Sequence, residues 1–409
     1  MRRSLKAISP GWLAALLVWA LSSLAVCRAS DWAQFRGPGG NSFSDEKNLP
    51  VKWGKDEGLV WKAPLPKSAS PFASPIVCGD KVFLTYALEK PLEHHVLCFA
   101  KADGRQLWDV KVEPGPWKLS DLRGGYNAPT PCADGERVYA LFGSAVIAAL
   151  DLKGQVVWRK EFAKYTFDVA LGASPFVYQD TIIILCDRNK PDASLLALDK
   201  RTGNIKWEEP RPKQAFSHCT PVLATVAGKP QLIIGGNGLM VGADPATGKT
   251  LWSCECDGET SSPAFSENLV YVDSGRGGNG ICVDVTAPGK PKWTTPTKVP
   301  ESLCSPLASG GYLYRLMKGP VLKCFKLATG EEIYAEKLPG ASTWTSPVAT
   351  GDGLLYVASG GKSYVVRAGP KFEIVAANDL ADPSNASPAI AGGQIFIRGT
   401  NFLYCVGKK

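Results

Sequence analysis

A unit that returns about eight times after residue 60 constrains this chain more than any other feature. Each copy opens with Ser-Pro or a near relative, runs through short apolar segments, reaches a turn and ends near a Trp. The leading prolines are Pro75, Pro131, Pro175, Pro221, Pro263, Pro306, Pro347 and Pro388, at spacings of 56, 44, 46, 42, 43, 41 and 41 residues. The closing aromatics are Trp108, Trp158, Trp207, Trp252 and Trp293, with Tyr334 in sixth place. A period of about 40–45 residues with about four strands per repeat is the signature of a β-propeller, in which each repeat makes one blade.

The third unit shows how a blade is written. Ser174–Tyr178 reads as a first strand, Thr181–Cys186 as a second, apolar throughout and so covered on both faces. Leu195–Asp199 is a third, Arg201-Thr202-Gly203 a hairpin, and Asn204–Trp207 a fourth. The same turn recurs at Ala246-Thr247-Gly248 and Ala328-Thr329-Gly330. Each Trp is expected to wedge between neighbouring blades. The last unit has only three strands, at 387–391, 394–398 and 402–406. Near the start, Gly58-Leu59-Val60-Trp61-Lys62 is a fourth strand without its first three. Joining the two removes two open sheet edges and closes an eight-bladed all-β propeller of four-stranded antiparallel blades, with seven blades as the alternative.

Residues 1–29 read as a secretory signal: Arg2, Arg3 and Lys6, then an apolar run from Trp12 to Val26, then Cys27-Arg28-Ala29 as the cleavage site. Lipidation at Cys27, which would give an outer-membrane lipoprotein, is the minor alternative to a soluble periplasmic or extracellular protein. Residues 30–57 are expected to wrap the surface, and 58–409 to form the propeller. Without the leader, 42 basic face 38 acidic residues. So mild a charge, with no basic run among aromatics, argues against a nucleic-acid partner. A monomer is expected, with no transmembrane segment in the mature chain. Eleven cysteines follow Cys27. Cys78, Cys132, Cys186, Cys219, Cys282, Cys304, Cys324 and Cys405 fall at strand positions and read as small buried hydrophobes. Cys254 and Cys256 are spaced so that a disulfide or a soft metal contact is open to them.

The Ser-Pro starts, the Ala/Arg-Thr-Gly turns and the Trp that follows resemble the PQQ-like repeat of the quinoprotein alcohol dehydrogenases and of BamB-like proteins, over essentially the whole chain after the leader. Trp32-Ala33-Gln34-Phe35-Arg36-Gly37-Pro38, with Leu49-Pro50 and Trp53, is similar to the opening of a group of exported bacterial proteins with this repeat. The resemblance implies the fold. Its dehydrogenase branch carries adjacent cysteines beside the quinone and often a C-x-x-C-H haem motif, neither of which stands in this sequence.

Three sets of residues are candidates for chemistry. Gly275-Arg276-Gly277-Gly278-Asn279-Gly280 matches G-x-G-x-x-G, but a strand follows where a dinucleotide site needs a helix, so it reads as a hairpin. His94-His95 reads as a surface turn at the start of a strand. The third set comes from position. Segments just before each innermost strand gather at the channel mouth, and they carry Arg123, Tyr126, Asn127, Tyr165, Asp168, His218, Glu259, Trp344 and Asn385 as a candidate ligand-binding rim. His218 with Asp168 or Glu259 offers an acid–base pair. The expected role is a non-catalytic binding platform at the cell envelope, for an envelope protein or a small ligand. No cofactor and no metal are expected. The alternative is a quinone- or metal-assisted oxidoreductase with its site at the channel mouth, for which PQQ with calcium would be the cofactor.

Overall fold

The computed structural model describes residues 31–67, 72–116, 125–162, 171–187, 193–212, 217–257, 261–273, 279–295 and 303–408. Residues 1–30 lie outside them, as do Arg123, Tyr165, Asp168 and Glu259 of the expected rim.

Eight four-stranded units, each antiparallel, form the eight blades. In the third, Phe176–Tyr178, Thr181–Cys186, Ser194–Asp199 and Ile205–Pro210 lie side by side in chain order. The second and third strands are buried on both faces and are written Thr-Ile-Ile-Ile-Leu-Cys and Ser-Leu-Leu-Ala-Leu-Asp. The fourth faces solvent and is written Ile-Lys-Trp-Glu-Glu-Pro. The expected orphan closes the circle. Leu59–Pro64 pairs antiparallel with Phe402–Val406, Trp61 opposite Cys405, and completes the eighth blade with Gln394–Arg398 and Ala389–Ala391.

Two locks repeat at the seams. The first explains the Ser-Pro starts. The residue before each proline is Ser or Thr, and its backbone N–H donates to the hydroxyl of the equivalent residue one blade on. The chain of bonds runs from Ser74 to Thr130, Ser174, Thr220, Ser262, Ser305, Ser346 and Ser387. It returns from Ser387 to Ser74 across the closing seam, every link 2.9–3.1 Å. Proline holds the residue before it extended. Only a short hydroxyl can accept there without filling the axis. This ring of eight counts the blades independently of the strands and settles the alternative of seven.

The second lock is the Trp on the outer strand. Trp61, Trp108, Trp158 and Trp293 each donate their indole N–H, at 2.8–3.1 Å, to a carbonyl in the next blade's last hairpin. The ring plane lies over that hairpin's glycine. At Gly104 a Cβ would stand 2.5 Å from the Trp61 ring, and the positive φ of +72° is itself a glycine conformation. The seam between blades 4 and 5 departs from this. Trp252 turns back onto Gly242 of its own blade and bonds Gln231 at 2.9 Å. The outer strand of blade 5 is only Trp293–Thr294.

Residues 31–57 do more than coat the surface. They cross the propeller at the end where first strands turn into second strands. Trp32 bridges Val77 of blade 1, and the Ala33 carbonyl accepts from Ala133 of blade 2 at 2.8 Å. Asn41 exchanges two bonds with the Phe265 backbone of blade 5. Phe43–Ser44 adds a parallel strand to Val348–Thr350 of blade 7. The Glu46 carboxylate accepts from Gly392 and Gly393 of blade 8. Between these contacts Arg36 turns inward.

All eleven cysteines after the leader are buried and outside any disulfide, Cys254 and Cys256 included. Burial pushes Cys98, Cys219, Cys282 and Cys405 up to about 12, which leaves them protonated and unreactive. Cys219 and Cys304 are not strand residues; each immediately precedes a member of the hydroxyl ring. The expectation of a surface turn at His94-His95 is overturned. Both lie inside the strand Leu92–Ala100, and His94 is fully buried, stacked on Phe142 with centroids 4.3 Å apart. Strand alternation sends the neighbours to opposite faces: His95 stacks on Tyr86 and bonds Asp109 at 2.7 Å. Burial pushes His94 down to about 3, so it is a neutral core residue.

Candidate functional site

The two mouths of the channel differ. One is crossed by residues 31–57, from which Arg36 turns inward. Its guanidinium is 2 % exposed and donates to the carbonyls of Pro263 at 2.8 Å and Pro306 at 2.6 Å, while Nε donates to Ser42 at 2.8 Å. These carbonyls follow two members of the hydroxyl ring, so the side chain stands at the inner wall of blades 5 and 6. Burial lowers its pKa to about 10, which still leaves it charged at neutral pH. The Arg36 backbone is left-handed, with φ +61°, and Gly37 follows at φ +71° with the Trp32 ring packed over it. Strain of that kind persists only where surrounding contacts fix it.

The other mouth lies on the side of the described residues of the expected rim, Tyr126, Asn127, His218, Trp344 and Asn385, which stand two to four positions before the hydroxyl ring. Tyr126 and Asn127 are buried at the seam of blades 1 and 2. Tyr126 packs 5.8 Å from His94, and the Asn127 amide donates to the Thr85 carbonyl at 3.3 Å. His218 is part-buried against Gly172, at the seam of blades 3 and 4. Trp344 and Asn385 come together. They line one cleft between blades 7 and 8, of about 450 Å³, with Ser342, Thr343, Ser359 and Pro383.

That cleft has fixed walls. The Ser342 hydroxyl donates to Asn385 Oδ1 at 3.1 Å. This bond assigns the amide oxygen to the Ser342 side. Trp344 is 41 % exposed and braced by Phe72, with ring centroids 5.6 Å apart. On the blade 8 side, Asp382 accepts from the backbone N–H groups of Thr400, Asn401 and Phe402, from the Asn401 amide and from the Tyr404 hydroxyl. Beneath the floor, the Ser384 hydroxyl donates to the Arg398 carbonyl, and the Arg398 guanidinium donates to Ala73 and Thr85 carbonyls at 2.8 and 3.0 Å. Burial lowers Arg398 to about 10. Among the described residues the lining has no ionisable side chain.

Sequence reasoning missed Ser342, Phe72, Asp382 and Arg398. Phe72 and Ser342 had a signal, since each lies within a few residues of a ring member. Nothing in the sequence marks Asp382 as a hub. Buried charge elsewhere is matched internally: Arg211 bonds Asp187 at 2.8 and 3.2 Å, and Arg315 bonds Asp273 at 2.8 Å.

Comparison with known proteins agrees with this architecture. A family model described as outer membrane protein assembly factor BamB matches residues 31–166 and 92–336. The outer membrane protein assembly factor BamB of Bordetella pertussis is 22% identical over 333 residues, covering 76% of this chain and 78% of that protein. The crystal structure of BamB from Moraxella catarrhalis superposes with a TM-score of 0.57 at 16% identity, covering 86% of this chain and 97% of that one. A europium-containing methanol dehydrogenase superposes with a TM-score of 0.56 at 12% identity, covering 91% and 90%. Both superpositions speak to the fold. The family match spans most of the chain, and the repeat, the hydroxyl ring and the eight blades fit it: the protein belongs to the BamB-like family of PQQ-like β-propellers.

Proposed function

We propose that this protein is a non-catalytic binding platform of the bacterial cell envelope, which holds its partner at the mouth opposite residues 31–57. The observation that carries this reading is the chemistry of the blade 7/8 cleft. An exposed indole and small neutral polar groups suit recognition, and the lining offers no acid or base to move a proton. Two further features support a platform. The closed hydroxyl ring and the Trp locks make the blades a rigid frame, on which a site keeps its geometry. Outer membrane protein assembly is what the name of the Bordetella pertussis relative states for that protein. Export to the periplasm accords with residues 1–29 as a leader. No helix among the described residues is long and apolar enough to cross a membrane.

PQQ with calcium needs cations for the quinone carboxylates and a cluster of oxygen ligands for the metal. Among the described residues no group of three or more His, Cys, Asp or Glu is placed to hold a metal ion. The described part of the mouth does not fit that pair, and we derive no oxidation through it.

Retention of envelope material tests the platform. Membrane and periplasmic fractions of the host are passed over immobilised protein and over its Trp344→Ala variant. The wild type is expected to retain specific material, protein or glycan, and the variant to lose about 90% of it, a change worth roughly 1.4 kcal/mol. Equal retention by both proteins would place the binding face elsewhere and defeat this reading.

A further inference from the structure

We propose that the cleft between blades 7 and 8 binds a neutral carbohydrate, one pyranose ring of which lies on the Trp344 indole. The inference rests on the binding-platform reading and names the ligand class of that site.

Four observations lead to it. First, Trp344 is the largest exposed apolar side chain at the described mouth, and Phe72 braces it from one side. A flat, fixed indole matches the apolar C–H face of a sugar, whose hydroxyls point outward at the ring edge. Second, those hydroxyls would meet neutral partners. Ser342 donates to the Asn385 amide oxygen, and the same amide carries two N–H donors. Thr343 supplies a hydroxyl at the same rim. Third, the described lining carries no charge, so nothing offsets the desolvation of an anionic or cationic ligand. That argues against phosphate, carboxylate or ammonium groups as the feature recognised. Fourth, the strand that begins beside the cleft offers no free edge. Lys362–Arg367 is paired on one side with Leu354–Val357 and on the other with Ile374–Asp379. An extended peptide therefore finds no ladder to join on that strand, although the indole alone could meet its side chains. The cleft, at about 450 Å³, is at the small end of ligand sites, which suits a short stretch of glycan.

The test is titration of the full chain with chitotriose, cellotriose and maltotriose, by calorimetry and by saturation-transfer NMR. At least one trisaccharide is expected to bind with a Kd of about 1 mM or tighter. Its affinity should not change between about 50 and about 500 mM salt, since no ion pair is made. Trp344→Ala and Asn385→Ala should each weaken binding about tenfold or more, while Trp344→Phe keeps part of it. The melting temperature of Trp344→Ala should stay near that of the wild type, because its side chain is exposed; Asn385→Ala, which also loses the bond from Ser342, is read by its binding. Absence of binding for all three sugars would overturn the inference, as would binding that Trp344→Ala leaves intact. If envelope material is still retained in a Trp344-dependent way that the sugars do not compete, the carbohydrate inference fails while the platform stands. If retention also fails, both fall.

Discussion

Trp61→Ala will cost this protein about 3–5 kcal/mol, as other truncations of large buried aromatics do. Trp61 is 9% exposed, lies over Gly104, packs 6.0 Å from Phe396 and donates to the Lys101 carbonyl at 2.9 Å. It therefore holds blade 8 to blade 1 at the seam that joins the two ends of the chain. A chain starting at Lys67 loses more. It lacks the strand Leu59–Pro64, which exposes the edge of Phe402–Val406, a run of Phe, Leu, Tyr, Cys and Val. An apolar open edge of that kind templates pairing with other chains. The shortened protein should aggregate, and Trp61→Ala should unfold at lower denaturant with an unchanged slope. A chain from Lys67 that stays monomeric with the full-length melting temperature would break the account of closure.

Arg36→Ala is expected to cost about 3 kcal/mol or more. The change strands two buried carbonyls, those of Pro263 and Pro306, and the Ser42 hydroxyl. Bonds from a charged donor contribute about 1.5–3 kcal/mol each, and a buried acceptor left alone costs a comparable amount. Desolvation of the guanidinium, which lowers its pKa to about 10, offsets part of this. Arg36→Lys should recover little, because an ammonium lacks the planar fork that reaches both carbonyls and Ser42 together. Chemical denaturation measures the cost. Limited proteolysis within 31–57 should accelerate in the variant, since Arg36 is what ties that segment to the inner wall. Wild-type stability and protease resistance in Arg36→Ala would show that the other contacts suffice.

These two residues also mark how far the sequence could be read. The closing strand was legible because a Trp-bearing fourth strand stood without partners at one end and three strands stood without a fourth at the other. The blades were legible because each repeat states its own strands and hairpin locally. Arg36 was not, because an Arg in a Gly-, Asn- and Ser-rich stretch reads as solvated surface. Its burial depends on carbonyls 227 and 270 residues away. His94 failed for a related reason: its burial is decided by Phe142 of the next blade, not by its own strand. The rim was half legible. Position before an innermost strand fixes the level of a residue along the axis. It does not fix whether the side chain turns into a seam, as Tyr126 and Asn127 do, or toward the mouth, as Trp344 and Asn385 do. These two share a cleft because their repeats are consecutive.

Titration with PQQ in the presence of calcium tests the central claim, a binding platform rather than a quinone enzyme, most directly. The account predicts no saturable heat and no dye-linked oxidation of alcohols or sugars. A dissociation constant below about 1 μM, roughly 8 kcal/mol of binding free energy, lost in both Trp344→Ala and Asp168→Asn, would contradict it and make the channel mouth a catalytic centre.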